Sequence, residues 1–133
     1  MKPTELMVGD LVLLFGDTPA RVDAIGNTEV HVYEKERGDW HVGYEHIKPI
    51  PITPEILEKN GFKKAKFNDN EPSGLCGKWW SKDGRILVKM FELTLMGIVF
   101  SVSGGNSRIS NIRYVHELQH ALRFADSKKE ITI

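Results

Sequence analysis

The chain has 133 residues with 18 basic and 18 acidic side chains, so its formal charge is zero; 41% of it is hydrophobic and 27% charged. These values exclude a disordered tail, a collagen-like repeat and a polycationic nucleic-acid packager. A chain of this length buries roughly two-thirds of its unfolded surface, so its core needs no covalent staple, and the single cysteine, Cys76, has no internal partner.

Residues 1–52 read as short strands separated by turn signals. Gly9-Asp10 opens the run Leu11-Val12-Leu13-Leu14-Phe15, and Gly16-Asp17-Thr18-Pro19 closes it. Arg21-Val22-Asp23-Ala24-Ile25 alternates polar and apolar, and Gly26-Asn27 supplies residues suited to the positive φ of a tight hairpin. Thr28 to Tyr33 alternates again, and the charge run from Glu34 to Asp39 reads as a solvated loop. Trp40-His41-Val42-Gly43-Tyr44 is the next expected strand, with a short turn at Glu45-His46-Ile47. Strands this short with no room for a helix predict an SH3-like barrel, an open meander being the alternative.

Pro49, Pro51 and Pro54 mark a boundary, because proline fixes φ and removes a donor. Thr53-Pro54 reads as a helix N-cap followed by proline at the first helical position, and Asn60-Gly61 as the stop. Strands are then expected over residues 62–67, 78–81 and 85–91, with Lys82-Asp83-Gly84 as a hairpin turn between the last two. Met96, Ile98, Phe100 and Val102 define one face of a further strand, Ser103-Gly104-Gly105-Asn106 its turn, and residues 109–112 a short continuation. A final helix is expected over about residues 113–125, since Val115, Leu118, Leu122 and Ala125 recur at helical spacing. Residues 130–133 read as a terminal strand. The fold class expected is α+β: a strand-rich SH3-like subdomain over residues 1–52, then an antiparallel sheet with two helices over residues 53–133.

Charge is spread unevenly. Residues 1–52 hold five basic and nine acidic groups, a net −4, and the remainder carries +4. An asymmetry of this size can orient two halves or two copies but does not by itself call for nucleic acid. Residues 1–5 lack the apolar core of a signal peptide. The longest apolar runs fall far short of the roughly 20 residues that span a bilayer. The expectation is a cytoplasmic protein in a reducing compartment without a membrane partner.

His116-Glu117-Leu118-Gln119-His120 matches H-E-x-x-H. Residues four apart share a helix face, so His116 and His120 can converge on one zinc ion with Glu117 as general base. Against a zinc peptidase, the helical wheel puts both imidazoles almost opposite the apolar stripe, and a catalytic zinc needs a third protein ligand. The thirteen residues after His120 offer only Asp126 and Glu130. The other histidines, His31, His41 and His46, fall in the first subdomain. The reading of these residues is therefore a solvated helix face, with no metal and no cofactor implied.

The stretch Pro51-Ile52-Thr53-Pro54-Glu55-Ile56-Leu57-Glu58-Lys59-Asn60-Gly61-Phe62 resembles a group of small uncharacterised proteins encoded by phages and prophage-like elements of anaerobic gut bacteria. Tyr114-Val115-His116-Glu117-Leu118-Gln119-His120-Ala121-Leu122 resembles the same group, and the strand after Gly9-Asp10 fits its layout. In that group the last helix often keeps V-H-x-L-Q while the second histidine is frequently Asn. The resemblance implies an architecture and a phage or prophage setting, and makes His120 incidental to metal binding. The motif is also similar to that of phage-associated zinc peptidases that cleave repressors, whose third ligand lies well downstream.

Lys63, Lys64, Lys66, Lys78 and Lys82 surround Phe67, Trp79 and Trp80. Cations among flat rings suit single-stranded nucleic acid, and equally a lysine-guarded strand with one tryptophan in the core. The Ser103–Ser107 turn lacks the sequel of a phosphate loop, and Cys76 beside Lys78 has no histidine near in sequence. Taken together the residues favour a non-catalytic module binding a protein partner through exposed aromatic surface at Trp40, Tyr44 or Trp80, with nucleic-acid binding and the zinc peptidase as alternatives.

Overall fold

The structure is a computed structural model that describes residues 1–64, 77–80, 86–91, 95–102, 105–124 and 130–133. The protein is α+β. It divides into two compact units: Met1–Pro51 with Tyr114–His120, and Ile52–Arg113 with Ala121–Ile133. The sequence reading puts one boundary at residues 52/53; in the structure the segment Tyr114–His120 groups with the first unit.

The first unit is an antiparallel sheet of β1 (Leu11–Leu14), β2 (Thr18–Ile25), β3 (Glu29–Glu34), β4 (Gly38–Gly43) and β5 (Ile47–Lys48), ordered β4-β3-β2-β1-β5. No ladder joins β4 to β5 among the described residues, so hydrogen bonding leaves the sheet open. Alternation decides the buried face: Val12 and Leu14 of β1, Val30 and Val32 of β3 and Val22 of β2 are all at most 1% exposed. Leu6, Ala20, Val42, Tyr44 and Ile47 complete this core, with Met1 and Trp40 packed against it. A 3₁₀ turn, Tyr44–His46, leads into β5.

Several local details differ from the sequence reading. β2 begins at Thr18 and includes Pro19, which pairs with Leu13. The hairpin at Gly26-Asn27 forms without positive φ at either residue; glycine is needed at 26 because a Cβ there would lie 2.8 Å from the Glu29 carbonyl oxygen. The charge run is not wholly a solvated loop: β3 continues through Glu34, which is buried, and β4 already begins at Gly38. Glu34 shares the inward face of Val30 and Val32, so strand parity carries it inside.

In the second unit α1 (Pro54–Lys59) forms as its punctuation predicts. The Thr53 hydroxyl accepts the Ile56 N–H at 3.3 Å, Pro54 opens the helix, and Gly61 at φ 82° ends it. Leu57 and Phe62 are buried. The sheet comprises β6 (Lys63–Lys64), β7 (Gly77–Trp80), β8 (Ile86–Phe91), β9 (Leu95–Val102) and β10 (Gly105–Ile112), ordered β10-β9-β8-β7-β6. Trp80 pairs with Leu87 across the expected β7–β8 hairpin, whose turn at Lys82-Asp83-Gly84 lies outside the described residues, as do Cys76 and residues 103–104. β10 is longer than the expected 109–112 strand and carries an irregularity between Ile109 and Ile112. The last helix is α2 (Val115–Phe124).

The expected terminal strand at residues 130–133 does not form. Asn60 takes the place of a strand partner: its Oδ1 accepts the Thr132 N–H and its Nδ2 donates to the Thr132 carbonyl, both at 2.7 Å. The same amide also donates to the Ile56 carbonyl at 2.7 Å. Replacing Asn60, itself buried, removes three hydrogen bonds to the backbone of Ile56 and Thr132, whereas replacing Thr53 costs one cap bond. Urea denaturation is expected to show Thr53→Ala losing about 1 kcal/mol and Asn60→Ala about 2–3 kcal/mol.

Candidate functional site

Two places in the first unit gather chemistry-bearing side chains. The first is at the start of β1, where Gly9 (φ 93°) turns the chain and the Asp10 carboxylate accepts the Met7 N–H at 2.7 Å. Asp10 has no solvent exposure. The H-E-x-x-H segment of α2 meets this turn: His120 Nε2 lies 2.7 Å from Asp10 Oδ2. One residue earlier, the Gln119 side chain accepts the Leu11 N–H at 2.9 Å and donates to the Gly9 carbonyl at 3.0 Å. A single carboxamide thereby satisfies two backbone groups at the head of β1, as a neighbouring strand would.

This overturns the expectation that the imidazoles look away from the interior. His116 is 5% exposed and Gln119 is 9% exposed, while Val115 and Leu118 on the apolar stripe are fully buried. The wheel argument fails because the polar face of α2 also meets protein: Gln119 and His120 are matched there by the turn before β1, and His116 is buried beside them. The sequence reading gives Gln119 no role of its own; a glutamine amid buried neighbours is the signal that marks it.

His116 and His120 are neighbours, ring centroids 5.6 Å apart and nearly perpendicular, and Tyr114 stacks on His116 at 5.9 Å. His120 Nε2 is engaged by Asp10. Glu117 is half-buried on the same helix. Among the described residues no group of three or more His, Cys, Asp and Glu side chains is arranged to hold a metal ion. Their chemistry here is that of a clasp, a hydrogen-bonding imidazole and an amide on one turn.

His116 Nδ1 is buried without a hydrogen-bond partner. Burial lowers the pKa of His116 below the ordinary imidazole value of 6.5, against raising effects from Asp10, Glu117 and Glu5 and a further lowering by His120.

The second place is aromatic. Phe15, between β1 and β2, has φ 52°, the one non-glycine in the left-handed region among the described residues, and the residue is 52% exposed. It meets Trp40 of β4 edge-on at 5.6 Å and His46 of the 3₁₀ turn at 5.5 Å. Its N–H donates to the His46 carbonyl at 2.8 Å. Three separate segments therefore converge on one half-open aromatic surface. The Trp40 indole N–H is buried without a partner.

Of the contact residues expected from sequence, Trp40 belongs to this surface. Tyr44 does not: it is 8% exposed, its ring in the core and its hydroxyl donating to the Gly26 carbonyl. Trp80 lies in β7 opposite Lys63, and Trp79 opposite Lys64, by backbone register. Lys66, Phe67 and Lys82 of the basic–aromatic stretch lie outside the described residues. Phe15 and His46 were missed, because nothing in the local sequence announces a left-handed phenylalanine. No helix among the described residues is long and apolar enough to cross a membrane.

Comparison with protein-family models, with curated proteins and with solved structures returns no match to this chain.

Two outcomes follow for the clasp. Gln119→Ala leaves a buried N–H and a carbonyl unmatched and is expected to cost about 3 kcal/mol in urea denaturation. Because the unfolded chain binds a proton on His116 more readily than the folded one, its contribution is fully present above pH 6.5 and is lost as pH falls below that value. Denaturation midpoints measured across that window should fall with acidification in the native chain and fall less steeply in His116→Leu.

Proposed function

We propose that the first unit is an SH3-like, non-catalytic interaction module that receives an extended, basic, proline-containing segment of a protein partner on the Phe15–Trp40–His46 surface. The observation that carries this is Phe15 itself. A bulky residue in the left-handed region costs about 1–2 kcal/mol, and solvent-exposed backbone strain of this kind persists where a surface is in use. Phe15 and Gly16 (φ 87°) are the left-handed pair that closes the β1–β2 turn, where the Asp17 N–H donates to the Leu14 carbonyl at 3.4 Å, and at that turn a phenylalanine rather than a second glycine sets a half-exposed residue against Trp40 and His46.

The strand order β4-β3-β2-β1-β5 with a 3₁₀ turn before β5 supports the SH3-like description. Flat rings accept pyrrolidine rings well, and a polyproline II segment loses little entropy on binding. The surface is flanked in sequence by Asp17 and by Glu45, whose side chain is 75% exposed, and residues 1–52 carry −4 overall. A cationic segment complements that field. The engagement of His120, Gln119 and Asp10 with one another and with the backbone favours a binding role over a zinc peptidase.

The likeness of residues 51–62 and 114–122 to phage- and prophage-encoded proteins supports a phage or prophage origin, and a lone cysteine suits the bacterial cytoplasm. The test is titration of isotope-labelled protein with a basic proline-rich decapeptide. Resonances of Phe15, the Trp40 indole and His46 are expected to shift. Phe15→Gly should weaken binding by about tenfold or more while changing stability by less than about 1 kcal/mol, since relieved strain offsets the lost ring contact. No binding, or binding that leaves these three residues undisturbed, would contradict it.

A further inference from the structure

Exposed sheet edges are templates for pairing, and proteins blunt them with short strands, lysine, proline or bulges. Three edges among the described residues are blunted in this way. β5 has two residues, one of them Lys48, and runs into Pro49. β6 also has two, Lys63 and Lys64. β10 is longer but breaks register between Ile109 and Ile112. β4 has none of these devices: its six residues, Gly-Asp-Trp-His-Val-Gly, contain no lysine or proline, and all six stay in register with β3.

We propose that β4 is a self-pairing edge through which two copies of the chain join antiparallel, centred on Trp40. Charge selects the occupant, and charge with strand overlap selects the register, since centring on Gly38, Asp39 or Val42 pairs at most three residues of β4 and centring on Trp40 or His41 pairs five. Displacing a strand by one residue would send its side chains to the wrong face, so only pairings that oppose residues of equal parity keep both cores closed. Centring on Asp39 would oppose two carboxylates, and centring on His41 would oppose two imidazoles. Centring on Trp40 sets Asp39 of each copy opposite His41 of the other, twice over, with Gly38 opposite Val42.

The pair is prepared within one copy. His41 is exposed and stacked on His31, ring centroids 4.2 Å apart and 20° from parallel. The Asp39 side chain is 64% exposed and meets His31 Nε2 through Oδ1 at 3.2 Å. The outer face of β3–β4 thus presents an acid and a base at positions that a two-fold axis exchanges.

This inference shares Trp40 with the peptide-binding reading but is argued from Asp39 and His41, which that surface does not use. Sedimentation velocity of the full chain near neutral pH over a micromolar concentration series should show a species of twice the 15.1 kDa chain mass. Asp39→Lys takes away the carboxylate acceptor opposite His41 and should weaken association by about tenfold or more. Combining Asp39→Lys with His41→Asp restores opposite charges across the axis and should recover the affinity to within about threefold. Asp39→Asn, milder for folding and checked by circular dichroism, should weaken association to an intermediate degree. A native chain that stays monomeric, an Asp39→Lys variant that associates like the native chain, or a double variant without recovery would each overturn the proposal.

Discussion

The backbone at the head of β1 cannot satisfy itself. Gly9 and Asp10 already give their N–H and carbonyl groups to Val22 of β2, at 2.7 and 2.8 Å, which leaves the Gly9 carbonyl and the Leu11 N–H to be matched from elsewhere. Gln119 supplies both from a position 108 residues later than Leu11. Oδ2 of the fully buried Asp10 carboxylate is matched in the same place by Met7 and His120. Buried polar groups of this kind are tolerated only when paired, because each unmatched one costs about 1–3 kcal/mol. The α2 residues that group with the first unit are thereby held where the register of β1 and β2 begins.

That constraint gives a physical account of a motif with two meanings. Two histidines four apart with an intervening glutamate are the skeleton of a zinc site, but spacing says only that the rings share a helix face. What the rings do depends on what that face meets. Here it meets a buried carboxylate and two backbone groups, and His120 Nε2 and the Gln119 amide are used in matching them. His116 is left with a buried Nδ1 that nothing matches, which ties the stability of the clasp to proton concentration.

Carboxamides recur as substitutes for strands. Asn60 in the second unit binds the N–H and carbonyl of Thr132 as Gln119 binds Leu11 and Gly9 in the first. An amide carries one acceptor and two donors in a plane, so it can complete a backbone ladder where no neighbouring strand is present. The aromatic surface follows a different logic. There the chain accepts a left-handed phenylalanine, and the ring it exposes is met by Trp40 and His46 rather than left alone.

Local punctuation was enough to determine much from the amino-acid sequence. The Thr53 cap, the stop at Gly61, the alternating inward valines of β3 and the β7–β8 pairing depend on neighbours within a few residues, where propensity and period are strong. The terminal strand, the solvated histidine face and the exposed Tyr44 were misjudged for one shared reason. Each depended on a partner distant in sequence: Asn60 for Thr132, Asp10 for His120, and the Gly26 carbonyl for the Tyr44 hydroxyl. The meeting of Phe15, Trp40 and His46 was likewise decided by tertiary structure alone, because periodicity reports which side a residue faces and not which group waits for it there.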